Sequence, residues 1–399
     1  MATVRKRTWQ SSGIQRTAWV ADYADQAGKR HLKTFDTKKA ADAWLVTTRH
    51  SVAQGTHTPD SASTTVAEAA EIWLAQGRLH RLERSTLAKY QNHVDRHVVP
   101  LLGPVRLARL TKPMVEQFRD DMLGRASWAM ARKVVASLKA ILGEAQRRSL
   151  VAQNVAQQVK IDARRREKRK LMVGQDIPEK LEVAAMLKAA TGRWRPLLVT
   201  AVFCGMRASE LRGLAWADVD FARKEIHVRQ RADQWGEIGS PKSSAGHRAI
   251  PMSPMVVQVL REWRLVCPRH GAHEGNPGRL SLVFPNGEGN PESHSNIVGR
   301  GLGPVQVAAG VTVPHPTARD EEGRPVLVAK YGMHALRHFF ASWAIEQGFT
   351  PKRIQALLGH ASIQMTFDTY GHLFPNPEDD QARFAAAERD ILPAEVLAT

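Results

Sequence analysis

The sequence predicts a multidomain protein, mainly α with small β elements (α+β). An N-terminal β-sheet-plus-helix unit is followed by an all-helical domain and a larger C-terminal domain. Three observations carry that reading. At 399 residues the chain is longer than one ordinary hydrophobic core serves. Two stretches, "GTHTPDSAST" (55–64) and "KIDARRREKRK" (160–170), read as linkers by their turn-forming or charged composition. Strand-like patterning is found near the N-terminus and in one pair of segments between 225 and 252, while helical spacing dominates elsewhere. The expected domains are 1–58, 64–160 and 171–399.

In the first domain "AWVADYAD" and "RHLKTF" flank the turn "QAGK" as strands, and "DTKKAADAWLVTTRHSV" has helical spacing with Asp36 or Thr37 as its cap. Ten basic residues here face four acids. Arg5, Lys6, Arg7, Lys29, Arg30 and Lys33 are candidates for phosphate contact on exposed strand faces; a merely solvated basic face has the same composition. In the second domain Thr65 and Glu68 form a capping-box pattern. Further helices are expected at 85–99, 112–124 and 127–148, the last starting at Ser127. Pro100, Gly103 and Pro104 are expected to break the first of these from the next.

The segment 160–170 holds seven basic residues against two acids, including Arg164, Arg165 and Arg166. It is either a solvated linker or a stretch that tracks phosphates. Beyond it, helices are expected at 178–191, 195–204, 206–214, 253–266, 335–347, 351–358 and 362–370, with a last one near 378–392. "EIHVRQ" and "HRAIPM" read as a strand pair.

Bulk properties narrow the class. Hydrophobic residues at 43% and charged residues at 24% fit a globular protein. The net charge of +18 favours a polyanionic partner, nucleic acid ahead of an anionic membrane. The apolar run "PLLVTAVFCGM" is too short to span a bilayer, and "MATVRKRTWQSSG" lacks a secretory apolar stretch. Two cysteines, Cys204 and Cys267, are too few for a disulfide framework, so a reducing cytoplasm is expected. "CPRHGAHEG" (267–275) offers zinc-capable side chains at irregular spacing, and a plain polar loop is the favoured reading.

Four separated phrases hold charge-handling groups that a packed core would not choose. In "CGMRASELRGLAW" Arg207 falls in a helix start with Glu210 one turn on, where an anion is favoured; a surface ion pair is the plainer reading. "SPKSSAGHRAIPM" places Lys242 in the loop of the strand pair. "MHALRHFFASWAIEQG" aligns His334 and Arg337 one turn apart above an apolar face. In "LLGHASIQMTFDTYGH" Gly359 turns the chain, His360 follows, and Tyr370 lies among Thr366, Thr369, Gly371 and His372, a local polar surface.

Together these phrases resemble the tyrosine recombinases, or phage-type integrases. The family pattern of "TG-x-R-x-x-E", a hairpin Lys, "H-x-x-R", "LGH" and a later Tyr falls on Arg207, Glu210, Lys242, His334, Arg337, His360 and Tyr370. The resemblance covers about 171–390. By architecture, 64–160 looks like the helical, SAM-like core-binding domain and 1–58 like an arm-type DNA-binding domain. Cys204 stands where Thr or Ser is commoner, "AQNVA" lacks the usual proline, and a polar insert, "HPTARDEEGRPVLVAKYG", precedes the "HALRH" helix.

The resemblance implies that Tyr370 is the nucleophile on a DNA phosphate, giving a 3′-phosphotyrosyl link. Arg207 and Arg337 would stabilise the five-coordinate phosphorus, Lys242 would protonate the leaving 5′ oxygen, and His334 would be the acid/base partner of the Tyr370 hydroxyl. His360 would donate to the phosphate, and Glu210 would orient His334 or an arginine. No metal and no ATP are expected. The implied partners are double-stranded DNA at core and arm sites and a homotetramer on that DNA; a directionality factor and a host DNA-bending protein are candidate accessories. The acidic tail after Tyr370 would dock on a neighbouring subunit or on its own domain. A prophage or other mobile element is the expected cargo, in a bacterial cytoplasm. A type IB-like topoisomerase and a non-enzymatic DNA-binding protein derived from an integrase are the alternatives.

Overall fold

A computed structural model of the chain describes residues 2–11, 14–25, 28–53, 63–162, 170–268, 281–374 and 384–388. The chain divides into two compact units, Met1–Arg166 and Glu167–Thr399.

The first unit opens with an antiparallel sheet in sequential order: β1 (Thr3–Ser11), β2 (Ile14–Ala24) and β3 (Arg30–Phe35). Sequence patterning found β2 and β3 but not β1. In β1, Val4 and Trp9 are the only large apolar side chains, so the strand is held by its ladder to β2 rather than by a buried stripe. Helix α1 (Lys38–Ala53) starts at Thr37, whose Oγ1 accepts from Ala40 N at 3.2 Å. It packs Leu45 and Trp44 with Ala21, Tyr23, Val4 and Phe35.

The helical part contains α2 (Val66–Leu79), α3 (Arg84–His93), a widened turn at Val94–Val98, α4 (Val99–Leu102), α5 (Lys112–Arg125) and α6 (Trp128–Arg147). The capping box forms: Glu68 N donates to Thr65 Oγ1, and Thr65 N to Glu68 Oε2. Ser127 caps α6 through Met130 N. Pro100 does not break the helix. The widened turn before it sends Val99 N to Val94 O, and a proline in the first turn of the next segment sacrifices no helical N–H. The chain leaves the helix only after Leu102. Leu74, Val94, Phe118, Met122, Leu138 and Ile141 form the centre of this core.

The second unit begins with α7 (Lys180–Ala189), α8 (Trp194–Cys204) and α9 (Ala208–Gly213). Next come β4 (Val219–Asp220), β5 (Glu225–Val228), a hairpin of β6 (Arg231–Ala232) and β7 (Ile238–Gly239), and β8 (Arg248–Pro251). The expected strand pair is β5 and β8, with β4 on the other edge of β5. After α10 (Pro254–Val266) come α11 (His294–Asn296), a widened turn at Ile297–Leu302 and α12 (Gly303–Ala308). The polar insert lies largely in a second hairpin, β9 (Thr312–Arg319) and β10 (Pro325–Ala329). Its strands were not legible because their exposed positions leave no apolar alternation.

Helices α13 (Met333–Glu346), α14 (Pro351–Leu358) and α15 (Ile363–Tyr370) complete the unit. Leu197, Val202, Leu211, Ile226, Ile250, Leu260 and Leu336 belong to its main core. The tail predicted as a helix near 378–392 is described only at 384–388, which is helical; its acidic residues Glu378, Asp379, Asp380, Asp390 and Glu395 lie outside the described residues, as do Arg164, Arg165, Arg166 and the histidines of "CPRHGAHEG".

Candidate active site

Two left-handed glycines end the helices that frame the site. Gly205 closes α8 at φ +56, and a Cβ there would collide with the Phe340 ring of α13. Gly359 closes α14 at φ +64, where a Cβ would lie 2.8 Å from Ala245 O. A side chain at either position would therefore meet strain and collision together. These helix ends leave carbonyls facing the site, and guanidiniums take them up.

Arg337, on α13, is only 2% exposed. Its NH1 donates to Gly205 O at 2.8 Å and its NH2 to Leu358 O at 2.6 Å, tying α13 to the ends of α8 and α14. Arg207, at the start of α9, donates from NH2 to Gly359 O at 3.1 Å and from NH1 to Glu210 Oε1 at 2.7 Å. Glu210 also accepts the Arg207 backbone N–H at 2.9 Å.

Sequence reading missed a third arginine. Arg248 of β8 holds both oxygens of Glu210, at 2.8 and 3.1 Å, and its Nε donates to Leu357 O at 2.6 Å. Glu210 thus orients arginines, one of the two roles expected for it. Burial alone would raise the Glu210 carboxyl; the hydrogen bonds and charge of Arg248, then Arg207, outweigh it and hold the group below the usual carboxylate value. Three guanidiniums against this one carboxylate leave positive charge in excess. Burial, then the charge of Arg207, pulls Arg337 down to about 9, still a cation at pH 7.

Tyr370 ends α15 and is buried, not part of a polar surface as its neighbours suggested. Its ring stacks against that of His360 at 6.4 Å between centroids and 7° between planes, and His360 Nδ1 meets Thr366 Oγ1 at 3.0 Å. The ring that reaches the Tyr370 hydroxyl is His338, through Nδ1 at 2.8 Å, and not the expected His334. His334 instead stands edge-on to His338, 4.6 Å between centroids, on the exposed side. A signal existed: His334 and His338 are four apart and share a helix face with Arg337 between them.

Burial lowers the His338 and His360 rings to about 4 each, with nearby cationic groups adding to the shift. His334 is lowered too, by such burial as it has and by Arg337 and Arg207. Burial pushes the Tyr370 hydroxyl up to about 12, against the pull of Arg337 and Arg207. Ionising it in advance at pH 7 would cost about 7 kcal/mol. The Tyr370 hydroxyl therefore keeps its proton at pH 7 in the free protein.

The structure brings Arg207, Glu210, Arg337, His360 and Tyr370 into one cluster, with His334 beside it. Lys242 lies on the exposed loop between β7 and β8, and Arg248 is the residue of that segment which enters the cluster. In the N-terminal sheet the basic candidates do not share a face. Arg5 and Arg7 lie opposite Val20 and Ala18, on the face away from α1, and Arg30 joins them through Asp22. Lys33 lies on the α1 side, its Nζ 4.7 Å from the Trp44 ring centroid, and Lys6 follows the same alternation. Lys29 sits in the β2–β3 turn, its N–H on Asp25.

Comparison with known proteins matches the chain to the Phage integrase family over residues 177–376, and to the N-terminal SAM-like domain of phage integrases over 65–123. The putative prophage phiRv2 integrase of Mycobacterium tuberculosis is 27% identical over 356 residues, spanning 86% of each chain. Among solved structures, the Tn1549 transposon integrase in complex with a circular intermediate DNA is similar at TM-score 0.59 and 21% identity, over 82% of this chain and 99% of that one. A lambda integrase tetramer bound to a Holliday junction is similar at TM-score 0.54 and 16% identity, over 86% of this chain and 93% of that one.

Proposed function

The chain belongs to the phage integrase family, and from that premise we propose that Tyr370 attacks a DNA phosphate held by Arg207 and Arg337. The protein is a site-specific tyrosine recombinase, an enzyme of mobile-element integration. One observation carries the assignment of residues: two guanidiniums locked by helix-end carbonyls lie in the same buried cluster as Tyr370.

The chemistry follows from that cluster. Attack on a phosphodiester builds charge on the non-bridging oxygens, and fixed guanidiniums match that charge without reorganising. Arg248 and Glu210 hold Arg207 in place. His360, with Nδ1 engaged by Thr366, keeps Nε2 for a phosphate oxygen. Lys242, on its exposed loop, supplies the proton that the departing 5′ oxygen takes. The 3′-phosphotyrosyl bond conserves the energy of the broken one, so a 5′ hydroxyl from a second duplex reseals it. Because the guanidiniums supply the stabilisation that a divalent cation gives elsewhere, neither metal nor ATP is required.

The prophage and transposon integrases that this chain resembles support a mobile element as cargo, and the lambda tetramer on a Holliday junction supports a tetramer on DNA as the working assembly. A directionality factor and a host bending protein are accessories in the same proposal. Among the described residues no helix is long and apolar enough to cross a membrane, and the proposed place of action is the bacterial cytoplasm.

The test uses fragments flanking the gene, since an integrating element carries its own attachment site. Wild type and Tyr370→Phe are incubated with them in EDTA without nucleotide. A denaturant-resistant adduct with wild type alone is expected. An adduct that survives in Tyr370→Phe overturns the nucleophile, and one that needs added metal overturns the metal-free mechanism.

A further inference from the structure

The Tyr370 hydroxyl carries a proton that no residue of the expected set is placed to receive. His360 stacks on the phenol ring, with its Nδ1 committed to Thr366. His334 packs its ring perpendicular to that of His338 and makes no hydrogen bond to the hydroxyl. Lys242 sits on an exposed loop and is assigned to the other side of the reaction. The hydroxyl's partner is His338 Nδ1 at 2.8 Å.

We propose that His338 is a catalytic residue of the cleavage step, receiving the proton of Tyr370 as its oxygen attacks. The proposal rests on the reading of Tyr370 as the nucleophile. A phenol must donate in this hydrogen bond for its oxygen lone pair to face phosphorus, so His338 accepts through Nδ1 and carries its own hydrogen on Nε2. In cleavage the Oη–H bond breaks and the proton moves to His338 Nδ1. Oη bonds to phosphorus, and the P–O5′ bond breaks with Lys242 protonating the leaving oxygen. In resealing the 5′ hydroxyl attacks, Lys242 recovers its proton, and the His338 imidazolium returns the other to Oη.

The surroundings make this acceptor depend on substrate. The titratable groups facing His338 are His334 and Arg337 on its own helix, Tyr370 on α15, and Asp176 in the segment before α7. Without DNA, burial first, then His334 and Arg337, keep the ring a poor base. A phosphate seated on Arg337 offsets the part of that shift that the guanidinium causes, so the ring gains basicity when there is a bond to break. A tyrosine armed only by its target is protected from reaction with other electrophiles.

The experiment measures single-turnover cleavage of the duplex that the adduct assay identifies, with ordinary oxygen or with sulfur at the bridging 5′ position. Sulfur is a good leaving group and dispenses with the acid. His338→Asn, which keeps a hydrogen-bonding atom near the Nδ1 position but cannot take the proton, and His338→Ala are expected to cleave about 100-fold more slowly. DNA binding should be unchanged, the defect should persist on the sulfur substrate, and added imidazole should restore part of the His338→Ala rate. Lys242→Ala, by contrast, should recover on sulfur. Cleavage by His338→Asn at the wild-type rate overturns the proposal, as does a faster rate, which would make the contact a restraint on Tyr370. Independently of any cleavage, 15N spectra of the free full-length protein should show Nδ1 of His338 without a hydrogen at neutral pH; a protonated Nδ1 also overturns it. If wild type forms no adduct, the reading of Tyr370 fails, while the spectra still decide the hydrogen bond.

Discussion

Two regions of this protein concentrate arginine, and they do it in opposite ways. On the N-terminal sheet Arg5, Arg7 and Arg30 stand in the open, and the side chains of Arg5 and Arg30 are 58% and 67% exposed. Asp22 bridges those two from the central strand. In the candidate active-site cluster the side chains of Arg248 and Arg337 are buried, and their hydrogen bonds go to helix-end carbonyls and one carboxylate. The exposed set is cheap to maintain and attracts phosphate from a distance, with strength that salt removes. The buried set costs the fold stability because its positive charge is not cancelled, and it gains fixed direction in return. Charge alone therefore does not locate chemistry; burial of unbalanced charge does.

The sharpest way to break this contrast is Arg337→Lys, which keeps the charge and loses the fork. Single-turnover cleavage should fall about 10³-fold, near what loss of one fixed transition-state donor costs, with DNA affinity little changed. An affinity loss that matched the rate loss would place Arg337 with the exposed set. Next in size is Glu210→Gln. Removing the one carboxylate beneath the buried guanidiniums should destabilise the catalytic unit by about 3–5 kcal/mol in urea melts, and sulfate should recover part of it.

Acidification tests the same field. His338 and His360 have folded values near 4, depressed from 6.5, so the unfolded chain takes up protons first as pH falls. Their contribution is present above pH 6.5 and drains away toward pH 4, about 2 kcal/mol per ring by pH 5. Melting of the full chain at pH 7 and pH 5 should show this, with a smaller gap in His360→Asn. The smallest effect belongs to the sheet. Arg7→Ala should leave cleavage at saturating DNA unchanged and reduce the slope of log affinity against log salt by about 0.9 if one phosphate contact is lost.

Much of the candidate cluster was legible because Gly205, Gly359 and the spacing of His334 and Arg337 mark the backbone around it. Arg248 shares the inward face of β8 with Ile250, two residues on, but a charge beside alanine and isoleucine in a short strand reads as an exposed interruption until Glu210 is seen beneath it. His338 follows Arg337 directly and precedes Phe339 and Phe340, so the pattern marks it no differently from its apolar neighbours. β1 and the β9–β10 hairpin carry no apolar stripe, and ladder hydrogen bonds leave no mark on composition. Pro100 was read as a breaker because the widened turn that accommodates it depends on backbone geometry, not residue type.

The β9–β10 hairpin joins α13 through a clamped junction. The Gln306 amide meets the Tyr331 backbone from both sides, Tyr331 N–H into its oxygen at 2.7 Å and its own nitrogen onto Tyr331 O at 2.8 Å. Lys330 and the Tyr331 hydroxyl both end on Glu182. Mechanically this junction is a vice. A load applied at the hairpin tip, where Asp320 closes the turn on Glu322 and Arg324, meets fixed residues before it reaches His334. The tip is thus an attachment point separated from His334 by that clamp, and a fluorophore placed there is expected to leave single-turnover cleavage unchanged.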